Sequence, residues 1–389
     1  MTRATVVGAG MTEFGQHDRP LTELFADAAI PALADAGVGT DEIDALYFGN
    51  AMGGQTETDT HLAPAIGTHL GLGGVPCQRF EDACATSSTA FKQAVEAVEA
   101  GVHDTVLVGG VERCTPATGL DTAAMTEVFA SATHRQYEQP TGLTFPGVFA
   151  LFTKRHMHEY GTTEEQLAAV AVKNHRHGKA NPYAHFGKDV TVEEVLEGPT
   201  VADPFRLLDC CPFSDGASAV VVTNPERAET VAGEPVAVAG VGHRTGTVPL
   251  AEKESLTATR PAREAATEAY DQAGVDPDAI DLAEVHDCFT GAEVLATEAL
   301  GLIEDGRGGP AAAAGRTERG GEIPVNPSGG LKAKGHPIGA TGTGQIAELT
   351  EQLRGAAGDR QVENATRGVA HNLGGDAATT VVTVMEAVA

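Results

Sequence analysis

A repeat at a fixed offset of 237 residues divides the chain into two similar halves. The motif Ala-Gly-Val at 36–38, followed by Ile-Asp at 43–44, recurs at 273–275 and 280–281. In both copies an alanine-rich segment with helical periodicity precedes the motif, and a short apolar strand follows it. Self-similarity at a long, fixed offset is typical of a repeated structural unit. The sequence therefore predicts two α/β halves related by duplication.

Strand and helix patterns alternate in both halves. Short apolar runs predict buried strands, and apolar residues on one helical face, ended by a glycine, predict helices. The predicted strands span 4–8, 45–49, 104–110, 217–223, 282–286 and 377–385, and the predicted helices span 21–36, 90–100, 261–273, 289–300 and 344–354.

Residues 115–200 lack this alternation and carry six of the 14 histidines, at positions 134, 156, 158, 175, 177 and 185. Their spacing gives no convincing set of metal ligands, so we expect solvated or hydrogen-bonded histidines and no metal site. We interpret the segment as a loop domain inserted over the site. The predicted division is a first part of the N-terminal half at 1–114, the loop domain at 115–200, the completion of that half and a linker at 201–233, and the C-terminal half at 234–389.

The charge balance restricts the possible partners. Asp and Glu number 54 against 26 Lys and Arg, a formal net charge of -28. The absence of a basic patch or run disfavours nucleic acid and anionic membranes as partners. The acidic residues are dispersed along the chain, and salt screens the repulsion between them. We therefore favour adaptation to a salt-rich cytoplasm over an ordinary acidic cytosolic enzyme.

The sequence pattern also favours a cytoplasmic location. The N-terminus begins directly with a strand and has no charged-then-apolar signal pattern. No apolar run approaches the roughly 20 residues that a membrane-spanning helix needs. The six cysteines contain no C-x-x-C pair and no recognisable disulfide framework. These features fit a reducing compartment.

Cys84 is the first candidate for reactivity. It lies between two alanines, just before the predicted helix at 90–100, where unpaired N–H groups and the helix dipole favour a thiolate. Small neighbours would let a substrate carbonyl approach the sulfur. The alternative is a buried structural cysteine, and the motifs of the second half argue against it.

The motif His-Asp-Cys-Phe at 286–289 follows the end of a predicted strand. Strand ends are where α/β proteins commonly place reactive side chains. At this position His286 can donate a hydrogen bond to a carbonyl oxygen, and Cys288 can shuttle a proton. We predict that both residues belong to the same site as Cys84.

Two glycine-rich segments complete the pattern. Residues 326–342 read Asn-Pro-Ser-Gly-Gly-Leu-Lys-Ala-Lys-Gly-His-Pro-Ile-Gly-Ala-Thr-Gly, a tight loop that holds His336 just before a helix. Residues 371–376, His-Asn-Leu-Gly-Gly-Asp, are predicted to form a turn between strands whose N–H groups build an oxyanion hole. Each segment alone is usually only a turn. Four such motifs on a duplicated α/β frame are much more specific.

Along essentially its whole length, the chain resembles a thiolase, most closely the sterol-carrier-protein-type and archaeal thiolases. The motif Gly-His-Pro-Ile-Gly at 335–339 is highly specific to that family, and His-Asp-Cys-Phe stands where many thiolases have Asn-Glu-Ala-Phe. The resemblance implies a thiolase fold, with two duplicated βαβαβαββ halves in a five-layered α-β-α-β-α arrangement and an inserted loop domain. It also implies Cys84 as the acyl-accepting nucleophile and His336 as its base.

One departure from the family pattern affects the second half of the reaction. Many thiolases have a cysteine in a Cys-x-Gly motif near the C-terminus, where this chain has Asn372-Leu373-Gly374. The resemblance implies that Cys288 takes over as acid and base. It further implies that the N–H groups of Gly374 and Cys84 form one oxyanion hole, and that His286 and His336 frame the other.

The resemblance implies acyl transfer through a Cys84 acyl-enzyme between coenzyme A thioesters, with acetoacetyl-CoA made from, or cleaved to, acetyl-CoA. Asn326 and Ser328 are further candidates for binding the oxyanion or the substrate. No cofactor is expected beyond coenzyme A, the substrate carrier. One alternative is a condensing enzyme of the decarboxylating or the 3-hydroxy-3-methylglutaryl type, and the latter should carry a glutamate as acid and base near the nucleophile. The other is a non-catalytic subunit that binds acyl-CoA or lipid, or scaffolds a partner enzyme.

The expected partners follow from the same resemblance. They are acyl-CoA and free CoA, together with a second copy of the chain in a homodimer or homotetramer. Similar archaeal thiolases associate with a small OB-fold accessory protein and a synthase of the mevalonate pathway, so partners of that kind are expected here.

Overall fold

The computed structural model describes residues 3–388. Its strands are β1 (Thr5–Met11), β2 (Ala45–Gly49), β3 (Cys77–Phe80), β4 (Thr105–Glu112), β5 (Thr200–Ala202), β6 (Phe205–Arg206), β7 (Gly216–Thr223), β8 (Val236–Thr245), β9 (Leu282–Val285), β10 (Arg367–Gly374) and β11 (Thr379–Ala387). Its α-helices are α1 (Leu21–Ala36), α2 (Gly53–Thr56), α3 (Leu62–His69), α4 (Thr86–Glu99), α5 (Thr122–Ala130), α6 (Phe145–Tyr160), α7 (Glu164–Lys179), α8 (Val192–Leu196), α9 (Pro225–Ala228), α10 (Arg260–Ala273), α11 (Thr290–Ala299), α12 (Gly308–Ala313), α13 (Gly330–Ala333) and α14 (Thr341–Leu353).

The sheet shows the predicted duplication directly. Nine strands follow the order β3-β2-β4-β7-β1-β8-β11-β10-β9. In the first half β1 is antiparallel to β7, β7 is antiparallel to β4, and β4 is parallel to β2. The second half repeats this pattern with β8, β11, β10 and β9. Val325 forms a parallel bridge with Ala283 of β9. This bridge corresponds to the parallel pairing of β3 with β2 in the first half.

The core has the layers that the five-layer prediction requires. Alternate residues of β4 face opposite sides, so that Leu107 packs with α1 and α3 while Val106 and Val108 pack with α4. Helix α14 shares the inner layer with α4, between the two sets of strands. Helices α10 and α11 cover the outer face of the second half. The two sets of strands join where β1 pairs with β8 through two residue pairs.

The N-terminal ends of the two inner helices meet closely. A Cβ at Gly342 would lie 2.1 Å from the Ser88 hydroxyl oxygen, so glycine is needed for the contact. The hydroxyl of Ser87 accepts a hydrogen bond from the N–H of Thr343 at 3.1 Å. The residues that precede α4 and α14 are thereby brought together, and these include Cys84 and His336.

The predicted elements occur with small shifts at their ends. Helix α1 ends at Gly37, whose φ of 67° is the left-handed conformation that glycine adopts readily. The segment at 371–376 differs from its prediction, because β10 continues to Gly374 and the turn follows it. The predicted linker contains the short helix α9.

Residues 115–200 lie between β4 and β7 and contain the helices α5 to α8. They pack beside the C-terminal half, since Phe149 and Phe152 of α6 share a core cluster with Phe289 and Leu295. The domain boundaries given above stay predictions. Within residues 3–388, no helix is both long and apolar enough to cross a membrane.

Gly110 of β4 allows the turn before α14 to lie directly against the sheet. A Cβ at this position would lie 1.9 Å from the carbonyl oxygen of Gly339. We expect Gly110→Ala to displace that turn and to lower the free energy of unfolding by about 1–3 kcal/mol. Thermal denaturation measures the loss, with Gly320→Ala as control because a Cβ there meets no atom within 4 Å. Equal melting temperatures for Gly110→Ala and the wild type would contradict the account.

Candidate active site

Cys84, His286 and His336 converge at one point. The Cys84 sulfur and one nitrogen of each histidine ring all lie within 4.8 Å of one another. The two rings are perpendicular, with an interplanar angle of 89° and centroids 4.9 Å apart. All three side chains line one cavity of about 410 Å³. Residues far apart in the two halves of the sequence are thus assembled as predicted.

A constrained turn presents Cys84 two residues before α4. Ala83 has a φ of 47°, a conformation that costs free energy for a residue with a side chain. The hydroxyl of Thr86 holds this turn, because it accepts from the N–H of Asp82 at 2.8 Å and donates to the carbonyl of Ala83 at 2.5 Å. The turn and the helix therefore fix the position of the sulfur.

The resting form of Cys84 differs from the predicted thiolate. Burial, assisted by the nearby Glu112 and Glu81, raises the pKa of its thiol to about 12. The N–H of Gly375 lowers the pKa of the thiol, but by less than burial raises it. Desolvation of the charged form therefore outweighs the helix N-terminus, and Cys84 is a neutral thiol at physiological pH. The site needs a base beside the sulfur.

His336 has the tautomer of a base. Its Nδ1 lies 2.7 Å from the hydroxyl of Thr341, and that hydroxyl donates its own proton to the carbonyl of Pro337 at 3.0 Å. The hydroxyl can therefore only accept from Nδ1–H, which leaves Nε2 unprotonated. Burial lowers the pKa of His336 to about 3, so the ring is neutral at rest.

His286 has the complementary tautomer. Its Nδ1 lies 3.1 Å from the side-chain amide nitrogen of Asn372, which donates to it. The proton of the neutral ring is then on Nε2, which is buried and has no hydrogen-bond partner among residues 3–388. Burial and the neighbouring His336 lower the pKa of His286 well below its usual value. His286 thus presents a hydrogen-bond donor to the cavity, as the sequence suggested.

This pair of tautomers does not suit a metal ion. A cysteine and two histidines are a common zinc ligand set, and these three lie close enough to be considered. The only free nitrogen of His286 carries a proton, however, and could bind an ion only if the ring gave up its bond to Asn372. The arrangement suits a donor and an acceptor around a reacting carbonyl.

Cys288 lines the same cavity, but it does not belong to the set of Cys84, His286 and His336 whose atoms lie within 4.8 Å of one another. Its carbonyl accepts from the N–H of Cys211 at 2.9 Å, which fixes the backbone at the start of α11. Burial, followed by the nearby Cys211 and Cys84, raises the pKa of the Cys288 thiol well above its usual value. Once deprotonated, such a thiolate is a strong base.

The N–H group beside the nucleophile differs from the predicted one. Gly375, and not Gly374, directs its N–H to the Cys84 sulfur, and Gly375 lines the cavity. Gly374 is the last residue of β10, where a Cβ would lie 2.5 Å from the carbonyl oxygen of Asp82. Gly374 therefore permits close packing of the nucleophile turn, and its neighbour supplies the donor.

Asn326 and Ser328 do not line the cavity, contrary to the prediction. The Asn326 side chain accepts from the N–H of Val285 at 2.8 Å and donates to Glu293 at 2.9 Å. The Ser328 hydroxyl donates to Glu284 at 2.7 Å. Both residues are fully buried beneath the site. They hold the loop of His336 against β9 and α11, which explains why the motif contains them.

Asp287 has a similar role, although its neighbours in the His-Asp-Cys-Phe motif face the cavity. Its carboxylate accepts from the N–H of Leu331 at 2.6 Å and from the side chain of Asn174 at 2.7 Å. A Cβ at Gly330 would lie 2.4 Å from that carboxylate. The carboxylate thus links the motif to the loop and to α7.

The cavity wall is mainly apolar. Five phenylalanines line it, at positions 129, 145, 149, 213 and 289. Val201 and Leu207 lie at its exposed end, with 45% and 56% of their surface accessible. Glu112 lies behind Cys84 and does not line the cavity, since its carboxylate accepts from the backbone of Ala51 and Met52.

Sequence reasoning missed three residues of the site. Thr341 and Asn372 set the tautomers of the two histidines, and Gly375 supplies the N–H donor. All three lie inside motifs that were recognised. No residue type or spacing distinguishes them there, because their roles depend on which atoms the fold brings into contact.

Two family models match the chain in tandem. The model described as "Thiolase, N-terminal domain" matches residues 4–226, and "Thiolase C-terminal domain-like" matches residues 242–387. An acetyl-CoA acetyltransferase of Methanothermobacter thermautotrophicus is 43% identical over 383 residues, covering 98% of this chain and 99% of the relative. Sterol carrier protein 2 of Homo sapiens is 35% identical over 387 residues, covering 96% of this chain and 70% of the relative.

Solved structures agree with this assignment. The structure named Ltp2-ChsH2(DUF35) aldolase has a TM-score of 0.85 at 27% identity, covering 99% of this chain and 98% of that chain. Human mitochondrial 3-ketoacyl-CoA thiolase in complex with CoA has a TM-score of 0.75 at 18% identity, covering 100% and 98%, and shows the shared fold. The predicted fold is confirmed, and the chain belongs to the thiolase family.

Proposed function

We propose that this protein transfers acyl groups between coenzyme A thioesters through an acyl-enzyme on Cys84, with acetoacetyl-CoA synthesis or cleavage as its reaction. The meeting of the Cys84 thiol with an unprotonated nitrogen of His336 and a protonated nitrogen of His286 carries the proposal. The relatives named acetyl-CoA acetyltransferase, at 43% and 37% identity, support the choice of acetyl groups.

The first half-reaction forms the acyl-enzyme. As the Cys84 sulfur attacks the thioester carbonyl, His336 Nε2 takes its proton, which avoids a free buried thiolate. The N–H groups of Gly375 and Cys84 receive the charge that develops on the carbonyl oxygen. The bond between the acyl carbon and the CoA sulfur breaks. The departing CoA thiolate takes a proton from Cys288 and leaves as a thiol.

The second half-reaction forms the carbon–carbon bond. The Cys288 thiolate removes a proton from the methyl group of a second acetyl-CoA, and the N–H donors of His286 and protonated His336 stabilise the enolate oxygen. The enolate carbon attacks the acyl carbon on Cys84. The carbon–sulfur bond to Cys84 breaks, and His336 returns its proton to the Cys84 sulfur. The products are acetoacetyl-CoA and the starting enzyme, and cleavage is the reverse.

Thiolysis of acetoacetyl-CoA by the purified chain tests the proposal. We expect two molecules of acetyl-CoA for each acetoacetyl-CoA and CoA consumed. Longer 3-ketoacyl-CoA substrates are assayed in parallel, so that activity on a longer acyl chain is also detected. Absence of both turnover and a Cys84 adduct with every thioester would contradict the proposal and favour a non-catalytic subunit.

The pKa values predict an unusual pH profile for the first half-reaction. Burial lowers the pKa of His336 to about 3 and raises that of Cys84 to about 12, so both groups stay neutral between these values. We expect the rate of Cys84 acylation by acetyl-CoA to vary less than about twofold from roughly pH 5.5 to pH 8.5, whereas a histidine with an ordinary pKa near 6.5 would lose about tenfold at the acid end. Quenched-flow mass spectrometry measures this rate. A fall of the acylation rate below about pH 6.5 would show that the pKa of His336 is close to its ordinary value, and would contradict this prediction.

Partners form a further part of the proposal. We infer a homodimer or homotetramer that associates with an accessory protein of the small OB-fold kind and with a synthase of the mevalonate pathway. The name of one structural relative joins two components, Ltp2 and ChsH2(DUF35), which supports looking for such an accessory protein. The predicted cytoplasmic location belongs to the same proposal.

A further inference from the structure

We propose that Phe149 limits the length of the acyl group, because its ring forms a wall between the active-site cavity and a second, adjoining void. This inference rests on the proposed acyl transfer through Cys84. It names the residue that determines which acyl groups the site accepts.

Phe149 lies on α6 and only 2% of its surface is accessible. It lines the cavity of Cys84. It also lines a narrow void of about 10 Å³ between α6, α11 and β10, which Cys84 does not border. Among the cavity residues, only Phe149 borders this void as well. The ring of one side chain therefore separates the two spaces.

The orientation that a thioester must adopt in the cavity indicates that its acyl tail, and not its CoA arm, approaches Phe149. The CoA arm is large and polar at its far end, so it must leave through the exposed end of the cavity, beside Val201 and Leu207. The acyl group on Cys84 then extends into the buried part of the cavity. The wall of that part includes the rings of Phe149 and Phe289, whose centroids are 5.2 Å apart. A longer acyl chain would need space that the ring of Phe149 occupies.

The space behind Phe149 suits an apolar chain. Small residues from two helices, Ala262, Ala292 and Ala296, form much of its wall, together with Leu295 and Leu373. Phe149 is held there by ring contacts, including an edge contact to Phe152 at 5.5 Å. A smaller side chain at position 149 would join the void to the cavity and create room beyond the present wall.

Phe152 offers a matched control. It lies one turn further along α6 and borders the same void, but it does not border the cavity of Cys84. Phe152→Ala enlarges the void and removes one ring contact of Phe149, but the Phe149 ring keeps its contact with Phe289 and stays between the void and the cavity of Cys84. The two variants remove the same group from adjacent turns, and only one of them opens the path from Cys84.

The experiment compares acylation of Cys84 by octanoyl-CoA and acetyl-CoA in the purified full-length chain, followed by intact mass. We expect Phe149→Ala to raise the octanoyl-to-acetyl rate ratio about tenfold or more over the wild type, the usual effect of a few methylenes in an apolar pocket. Phe149→Leu, which keeps more of the packing, should raise the ratio less. Phe152→Ala should leave it unchanged. Circular dichroism confirms that each variant is folded.

An unchanged ratio in both folded Phe149 variants, or an equal rise in Phe152→Ala, would overturn the inference. These outcomes differ from a failure of the proposed function. If the wild type forms no adduct with either thioester, the acyl-enzyme itself is wrong. If the wild type is acetylated and the ratio does not respond to Phe149, only the assignment of the wall is wrong.

Discussion

Cys84→Ala is expected to abolish acyl transfer while leaving the fold intact. The sulfur is the only group that the proposed mechanism uses to hold the acyl chain, and loss of a catalytic nucleophile commonly costs a factor on the order of 10⁴ to 10⁶. The Cys84 side chain is small and lies at a turn that Thr86 already holds by two hydrogen bonds. The measurements are acetoacetyl-CoA thiolysis and thermal unfolding of the same preparation.

A matched control comes from a cysteine outside the site. Cys77 lies on β3 and does not line the cavity of Cys84. Cys77→Ala should therefore keep wild-type turnover, which shows that thiol loss alone is harmless. Substantial turnover in folded Cys84→Ala would require another nucleophile and would overturn the covalent mechanism.

His336→Asn is expected to slow acylation of Cys84 by about 10²- to 10⁴-fold, the range found for removal of a general base. The thiol has a pKa of about 12 because it is buried, so it cannot attack efficiently unless a neighbour takes its proton. The unprotonated nitrogen of His336 is the group placed to do so. Rapid mixing with acetyl-CoA, followed by intact mass, isolates this step.

Two further variants separate this role from general damage to the site. His286→Ala removes the donor for the enolate, so acetylation of Cys84 should continue while condensation falls. Thr341→Val removes the acceptor that fixes the His336 tautomer, so acylation should slow by a smaller factor than in His336→Asn. Equal losses of acylation in His286→Ala and His336→Asn would contradict the assignment of different roles.

The fold could be predicted in most of its features because the signals were local or repeated. The duplication at 36–38 and 273–275 predicted two similar halves, and the strand order repeats across them. Glycine at position 37 predicted the end of α1. The strand end at Gly374 was mistaken for a turn, because adjacent glycines at 374 and 375 are typical of turns, and only pairing with β11 shows that the first of them is extended.

The site could be predicted as a set of residues, but not as a set of atomic roles. Cys84, His286, Cys288 and His336 all line one cavity, as expected from their motifs. Asn326 and Ser328 belong to the same loop as His336, and sequence cannot tell a loop residue that faces the substrate from one that anchors the loop. Their partners, Glu293 and Glu284, lie elsewhere in the chain.

The charge state of Cys84 shows the limit of a local argument. The position before α4 correctly suggested a favourable helix N-terminus, but desolvation depends on everything packed around the sulfur. Desolvation is the larger effect, and it raises the pKa of the Cys84 thiol. Adaptation to high salt also stays a prediction, and a rise of the unfolding temperature with KCl concentration would support it.

The most direct test of the central claim is to locate the acyl group after brief incubation of the wild-type chain with acetyl-CoA. Cleavage after Arg79 and Lys92 releases a peptide in which Cys84 is the only cysteine, so the site can be read by mass. The account predicts one acetyl group on this peptide, removed by added CoA. An unmodified peptide, or an acetyl group found instead on the peptides of Cys211 or Cys288, would contradict it.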